Sequence, residues 1–143
     1  PREPRTTLSV GRIGGGIAVN AIPDEGWIEV DLRSTSPALI ERLAREVRLL
    51  ACAAAEEENV RRAPGAPKLT HTVEVIGDRP CGETDAAHPL VAAALDATRL
   101  VGREPELATA STDANVPSSH GIPAVALGAG GPGGDVHTSG VWF

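Results

Sequence analysis

The chain has 143 residues and a net charge of −6, and 41% of its residues are hydrophobic, with one Phe, two Trp and no Tyr or Met. This length suits one domain or two small ones, and the core must be built mainly from Val, Leu, Ile and Ala. Acidic and basic residues are interspersed, so no basic stripe is available to bind nucleic acid. No apolar run approaches the roughly 18 residues of a membrane-spanning helix, and no signal peptide is present. We therefore expect a cytoplasmic protein without membrane or nucleic-acid partners, in which Cys52 and Cys81 are reduced and mostly buried.

Two strands are predicted at the start of the chain. Thr6 to Ile13 favours a strand with Leu8 and Val10 on one face, and three glycines end it. WIEVDLR, residues 27–33, alternates strictly between apolar and polar side chains, which indicates a strand with one buried face. The buried face comprises Ile28, Val30 and Leu32.

A helix is predicted from Pro37 to Glu58, with Ser36 as its N-cap. An apolar stripe with helical spacing should cover the buried face of the second strand. The stripe comprises Leu39, Leu43, Val47, Leu50 and Ala54, widened by Ile40 and Ala44. After a loop, Leu69 to Asp78 predicts a further strand in which His71 is half-buried.

The second half predicts a helix and a buried strand. His88 to Gly102 is an Ala-rich helix that Gly102 ends, and Glu106 to Ala110 is short and extended. Its inward side comprises Leu90, Ala94 or Leu95, and Ala97 or Thr98. The apolar run Ile122 to Gly128 is typical of a strand buried on both faces. We predict an antiparallel sheet with a covering helix in residues 1–80 and part of a parallel α/β sheet in residues 81–143.

Asn20 and Arg33 form the first candidate polar cluster. Arginine offers a planar fork that suits a carboxylate, so Arg33 could bind a substrate. The alternative is a surface arginine paired with Asp31 or Glu29, and an asparagine held in a turn.

The second cluster is STDAN, Ser111 to Asn115. Short polar residues at the end of an extended segment can present several donors to an anion. They can equally begin a helix, with Asp113 as the capping residue.

The third cluster is the glycine-rich stretch GAGGPGGDVHT, residues 128–138. Its glycines allow close backbone approach to a ligand, but no Lys follows as a phosphate-binding loop requires. His137 alone is a weak metal signal, because a zinc site usually takes three or four His, Cys, Asp or Glu ligands.

In order and spacing, these motifs resemble the co-catalytic zinc aminoacylase-type peptidases. That family includes tripeptidase T, acetylornithine deacetylase, succinyl-diaminopimelate desuccinylase and the glutamate carboxypeptidases. Its lid, or dimerisation, domain carries a Gly-Gly, an Asn-x-Ile-Pro and an Asp-x-Arg. The matching residues are Gly15-Gly16, Asn20-Ala21-Ile22-Pro23 and Asp31-Leu32-Arg33. STDAN, GIPAVALGAGG and the His-Thr before a Trp resemble its C-terminal catalytic segment.

The resemblance implies a fold of α+β and α/β parts. A partial ferredoxin-like lid is followed by the C-terminal part of an α/β domain that holds two zinc ions. By position in the motifs, His137 matches a histidine ligand of the second zinc. The residues matching substrate-binding groups are Asn20, Arg33, Ser111, Thr112 and Gly130. The implied substrates are peptides or N-acyl amino acids, whose amide bonds the family cleaves.

The sequence also departs from the family pattern. The other zinc ligands, in a His-x-Asp motif and near a catalytic Glu-Glu pair, precede the family's lid. No His-x-Asp occurs here, and no Glu-Glu pair lies in a strand-end loop, since Glu56 to Glu58 belong to the predicted helix. Val141 stands before Trp142 where the family usually has an acidic residue. With no general base and one ligand, the chain is predicted to be inactive alone, with no catalytic residue of its own.

The same departures lead to two expectations about assembly. The start at Pro1 without an initiator Met suggests a processed, excised or proteolysed piece. A lid without its first strand and helix should expose a strand edge, which predicts a homodimer or association with the missing N-terminal part. The alternative function is a non-catalytic dimerisation or interaction module derived from this family.

Overall fold

The computed structural model describes residues 4–128, 131, 133–136 and 138–142. The chain divides into two compact units, Pro1–Asp78 and Arg79–Phe143. The division lies close to the predicted boundary at residue 80, and the assignment of the second unit to a catalytic domain stays a prediction. Within the described ranges, no helix is long and apolar enough to cross a membrane.

The first unit contains an antiparallel pair of strands, β1 (Thr6–Gly15) and β2 (Gly26–Ser34). The pair begins with Thr6 opposite Ser34 and ends with Gly15 opposite Gly26. Beyond the last pair, the Gly16 amide donates to the Glu25 carbonyl at 3.2 Å, so the ladder continues into the loop. The predicted strand positions are confirmed.

A bulge at Gly11 interrupts the ladder between Val10 and Arg12. Val10 lies opposite Val30, yet Ile13 lies opposite Ile28, so β1 has one residue more than β2 over this stretch. An extra residue in one strand shifts the alternation of the side chains that follow it. Ile13 therefore joins Val10 on the apolar face, which strict alternation along β1 did not predict.

The opposite face of the sheet is polar. Arg12 lies opposite Glu29, donates to its carboxylate at 2.8 Å, and lies over the Trp27 ring at 5.2 Å from the ring centroid. Trp27 also fills the space above Gly14, where a Cβ atom would overlap the indole ring. These cross-strand contacts favour the observed register of β1 against β2.

Helix α1 (Pro37–Arg61) follows β2 and packs against it. Ser36 is the N-cap residue by its extended backbone, but its side chain makes no capping hydrogen bond. The predicted stripe is correct in the first half of the helix, where its members are half-buried. In the second half it is wrong, because Leu50 is 69% exposed while Ala55 is buried.

The less exposed positions continue in steps of four, from Val47 to Ala51 and Ala55. Because one helical turn takes 3.6 residues, each step of four moves the stripe about 40° around the helix. The helix also runs three residues beyond the predicted end at Glu58. Arg61 explains part of this extension, since its guanidinium pairs with Glu57 at 2.5 Å and with Glu58 at 3.3 Å. An arginine in the last turn also complements the helix dipole.

Residues 69–78 do not form the predicted strand. A strand requires a hydrogen-bonded neighbour, and in the described sheet β1 and β2 pair only with each other. One anchor does hold the start of the segment: the Asn59 side chain donates to the Leu69 carbonyl at 2.9 Å and accepts from the Leu69 amide at 2.8 Å. His71 is exposed, so the expectation that it is half-buried is wrong.

The second unit contains α2 (Pro89–Leu100) and the short helix α3 (Asn115–Ser119). His88 caps α2, because its Nδ1 accepts from the Leu90 amide at 3.1 Å. Gly102 ends the helix with a φ of 74°, as predicted. The inward face centres on Val91, which is buried, rather than on Leu90, which is 39% exposed.

The predicted strand Ile122 to Gly128 is not present either. Ala124 and Val125 are half-buried, but no strand lies beside them in the described part of the unit. Glu106 to Ala110 is likewise outside the helices and strands. The fold that the structure shows is thus α+β, with an antiparallel pair and a covering helix as predicted for the partial lid.

The thiols differ from expectation in one respect. Neither cysteine is in a disulfide, which agrees with the prediction, but Cys52 is exposed on α1 and Cys81 is half-buried.

Candidate functional site

Asn20 lies in the loop that joins β1 to β2. The loop contains a turn in which the Ala21 amide donates to the Ala18 carbonyl at 3.3 Å, and Asn20 is exposed within it. Gly16 begins the loop with a φ of 69°, a conformation that favours glycine. Asn20 is therefore held in a turn, as the alternative interpretation from its residues expects.

Arg33 lies near the far end of β2, seven residues from the strand's start and about 23 Å along it. Its Nε donates to the Asp31 carboxylate at 2.6 Å, and both side chains are more than half exposed. The fork of Arg33 is thus engaged by a neighbour on the same face of the strand. The structure does not bring Arg33 and Asn20 together, and their substrate roles stay predictions.

Ser111 and Thr112 lie together in the second unit, immediately before α3. Ser111 is exposed and Thr112 is half-buried. The Thr112 amide donates to Asn115 Oδ1 at 2.8 Å, so the side chain of Asn115 closes the loop. The N-cap residue of α3 is Ala114, which makes no side-chain capping bond, so the alternative role of Asp113 as the cap is wrong.

Asp113 instead pairs with Arg79 from the start of the unit. Arg79 Nη2 lies 3.1 Å from Asp113 Oδ1, and Arg79 Nη1 donates to Ser111 Oγ at 3.5 Å. One guanidinium therefore holds two residues of the loop, one on each side of Thr112. Asp113 is fully exposed, so solvent screens its pair with Arg79 and the pair contributes little to stability.

The segment 79–84 supports this loop at two further points. A Cβ atom at Gly82 would lie 2.6 Å from the Ser119 amide nitrogen and 2.7 Å from the Asn115 carbonyl oxygen. Only glycine permits the backbone to approach α3 so closely. Thr84 Oγ1 donates to the Ala124 carbonyl at 2.7 Å and accepts from the Ala124 amide at 3.0 Å.

Sequence patterns did not indicate Arg79, Gly82 or Thr84 as part of this arrangement. Their partners lie between 32 and 40 positions away along the chain, beyond any helical or strand periodicity. The change of composition at Arg79 to Asp85 is the only local signal, and it marks a boundary rather than a contact.

The glycine-rich stretch is described in part. Gly130 and His137, the two predicted site residues of this stretch, lie outside the described residues. The flanks of His137 are ordered by a two-bond bridge: the Gly134 amide donates to the Trp142 carbonyl, and the Trp142 amide donates to the Gly134 carbonyl, each at 3.1 Å. Asp135 has a φ of 54°, and its carbonyl accepts from both the amide and the hydroxyl of Thr138.

Gly134 is required at the bridge because the Trp142 indole lies against it, 2.7 Å from where a Cβ atom would be. The bridge thus joins Gly134 to Trp142. Among the described residues, no three His, Cys, Asp or Glu side chains lie close enough to hold a metal ion.

A protein-family model matches the first part of the chain. Residues 1–59 match the peptidase dimerisation domain of the M20 family. The matched range contains β1, β2 and most of α1. The first unit thus has both the sequence and the local structure expected of part of such a domain.

A relative covers nearly the whole chain. YqjE of Bacillus subtilis (strain 168), an uncharacterized protein, is 32% identical over 130 residues, which is 90% of this chain and 33% of YqjE. The chain thus spans about a third of the length of that relative. The match extends past residue 59 into the second unit, since 130 residues cannot fit within the first.

Proposed function

We propose that this chain is a segment of an M20-type zinc-dependent metallopeptidase or amidohydrolase that cleaves amide bonds of peptides or N-acyl amino acids. The observation that carries the proposal is the match of residues 1–59 to a peptidase dimerisation domain, over the strand pair and helix that the structure shows. The second unit, residues 79–143, would be part of the catalytic domain.

The proposed roles of the site residues follow their chemistry. Exposed Ser111 and half-buried Thr112 offer two hydroxyl donors before α3, which suits a substrate carboxylate. Arg33 offers a fork that an incoming carboxylate could share with Asp31, because exposed pairs exchange partners at little cost. Asn20 and Gly130 are proposed as further substrate-binding residues.

His137 would be a ligand of one zinc ion of a pair. When bound, zinc polarises an amide carbonyl and lowers the pKa of a bound water. Because the sequence contains no His-x-Asp, and its adjacent glutamates Glu56 to Glu58 lie on α1 and not in a strand-end loop, we predict no turnover by these 143 residues alone. The location of the protein in the cytoplasm also stays a prediction.

The first unit would form a homodimer through its apolar surface. Its most exposed apolar side chains lie in the loop between the strands: Ile17, Val19 and Ile22. Apolar side chains in such a cluster favour burial against a partner. Light scattering at micromolar concentration should give twice the monomer mass, whereas a stable monomer would contradict this part of the proposal.

The activity is tested by comparing two polypeptides. The complete reading frame that contains this chain and the 143-residue chain should both be assayed, with zinc or cobalt, on N-acyl amino acids and short peptides. We expect turnover by the first and none above the metal blank by the second. Turnover by the short chain would contradict the missing-ligand argument. Absence of turnover by both would favour the second candidate, a non-catalytic dimerisation module, which the match to a dimerisation domain also supports.

Zinc binding provides an independent check on His137. Calorimetric titration of the complete protein should give two zinc ions per chain, and His137→Ala should lose one of them or weaken it by about 10-fold or more. His120→Ala, which removes a described histidine before Gly121, is the matched control. Equal zinc binding by the His137 variant and the control would exclude His137 as a ligand.

A further inference from the structure

Arg79 is placed to control the loop that carries Ser111 and Thr112. Two nitrogens of its guanidinium contact Ser111 Oγ and Asp113 Oδ1, at 3.5 and 3.1 Å. The planar fork of arginine lets one side chain hold two acceptors at once, which a lysine cannot do in the same geometry. The two held residues flank Thr112.

The other side of the loop is held separately. The Thr112 amide is bonded to Asn115 Oδ1 at 2.8 Å, at the start of α3. Arg79 itself belongs to a segment that is fixed twice, at Gly82 against α3 and at Thr84 against Ala124. The guanidinium therefore extends from a fixed backbone to a loop that is otherwise exposed.

Charge gives a second reason for a positioning role. Asp113 is fully exposed beside Ser111, and its carboxylate would repel an anionic group that approaches the Ser111 and Thr112 donors. The Arg79 cation, 43% exposed, offsets that charge at 3.1 Å. The contact between Arg79 and Asp113 thus holds the loop and makes the electrostatic potential around it less negative.

We propose that Arg79 is a positioning residue that, through Ser111 and Asp113, presents the Ser111–Thr112 donors to the terminal carboxylate of a substrate. The carboxylate ligand rests on the function proposed above, whereas the control of the loop by Arg79 does not. The two parts are therefore tested by different measurements.

The loop is tested without any activity, by hydrogen exchange of the Thr112 amide in the complete protein. Arg79→Gln should speed exchange about threefold, the change that an exposed ion pair of this kind is worth. Arg79→Lys should give a smaller change. Arg99→Gln removes a comparable exposed pair, Arg99 with Asp96 on α2, and should leave Thr112 unchanged. Exchange at Thr112 that is the same in Arg79→Gln as in the unaltered protein would overturn the inference.

The role toward substrate is tested by kinetics on two matched substrates, an N-acyl amino acid and its carboxamide. Arg79→Gln should raise KM about three- to tenfold for the acid, with little change in kcat, and should not affect the carboxamide. Arg79→Gln/Asp113→Ala should be no worse than Arg79→Gln, because Arg79 acts partly through Asp113. Equal losses on both substrates would show a merely structural role and overturn the proposal.

The possible failures are separable. If the complete protein hydrolyses neither substrate, the proposed function fails, and the Thr112 exchange still decides whether Arg79 holds the loop. If KM rises for the acid while Thr112 exchange is unchanged, Arg79 binds the carboxylate directly and the positioning role is wrong.

Discussion

Different kinds of interaction stabilise the interior of each of the two units. In the first, a continuous backbone ladder joins β1 and β2, and α1 covers β2. In the second, the contacts among segments are single side chains bonded to distant backbone, such as Thr84 to Ala124, and close backbone approach at Gly82. In a ladder, each hydrogen bond contributes a small part of the stability. Where segments are joined by single contacts, each contact contributes a larger part. We therefore expect point substitutions to destabilise the second unit more than the first.

The largest effect is expected for Gly82→Ala. The new methyl group would lie within 2.7 Å of two backbone atoms of α3, which cannot move without shifting the helix. Overpacking of this kind should lower the free energy of unfolding of the second unit by about 3 kcal/mol. Hydrogen exchange resolves the two units, and amides of β1 and β2 should keep their protection.

Gly128→Ala is the matched control for that experiment, because nothing lies within 4 Å of its Cβ position. We expect a change of less than about 1 kcal/mol for it. Similar losses from the two substitutions would mean that the close approach at Gly82 has no special weight.

Thr84→Val should have the next largest effect. Valine keeps the shape of threonine but removes the hydroxyl that bonds both the amide and the carbonyl of half-buried Ala124. Leaving two such groups without a partner should cost about 2 kcal/mol. Denaturant unfolding followed in the second unit measures it, and Thr84→Ser, which keeps the hydroxyl, should recover most of the loss. A serine variant as unstable as the valine variant would point to packing of the methyl group instead.

Asn59→Ala tests a single-residue anchor inside the first unit. It removes both bonds to Leu69, but these are exposed, so water replaces them and the loss should be about 1 kcal/mol. Exchange should quicken in residues 69–78 and stay constant in the strands. Asn59→Asp keeps only the acceptor for the Leu69 amide, so its stability should lie between those of the unaltered protein and Asn59→Ala. Faster exchange in β1 as well would show that residues 69–78 and the strand pair unfold together.

The smallest effect is expected for Arg12→Gln on the polar face of the hairpin. Its pair with Glu29 and its position over Trp27 are both exposed, and together they should contribute about 0.5 kcal/mol. The thermal midpoint of the first unit should fall slightly, and Arg12→Lys should retain part of the contribution. If Arg12→Gln destabilised the protein more than Thr84→Val does, the expectation that substitutions destabilise the second unit more than the first would be wrong.

The same difference between the units explains what the sequence could predict. The strands, α1 and α2 were predicted because periodicity and end signals such as Pro37 and Gly102 lie within each element. Residues 69–78 and 122–128 have strand-like patterns, but a strand exists only with a partner, and a pattern does not specify one. The apolar stripe of α1 was followed correctly to Val47 and wrongly at Leu50, because a small drift accumulates along a long helix.

The candidate site was predicted less completely than the fold. Ser111 and Thr112 lie in one loop because they adjoin in sequence, and their role toward a substrate stays a prediction. Their support by Arg79 could not be predicted, because it depends on a contact 32 positions away. Asn20, Arg33, Gly130 and His137 were chosen through the family resemblance, and their roles await the experiments above.

The bulge at Gly11 has a consequence for the comparison of sequences. Because Gly11 is the one residue of β1 without a partner in β2, removing it would leave Arg12 opposite Glu29 and Ile13 opposite Ile28. Related hairpins can therefore differ in length by one residue here and still carry the same side chains on each face of the sheet. An alignment that forbids a gap at this position would place every residue before it, including Leu8 and Val10, on the wrong side of the sheet.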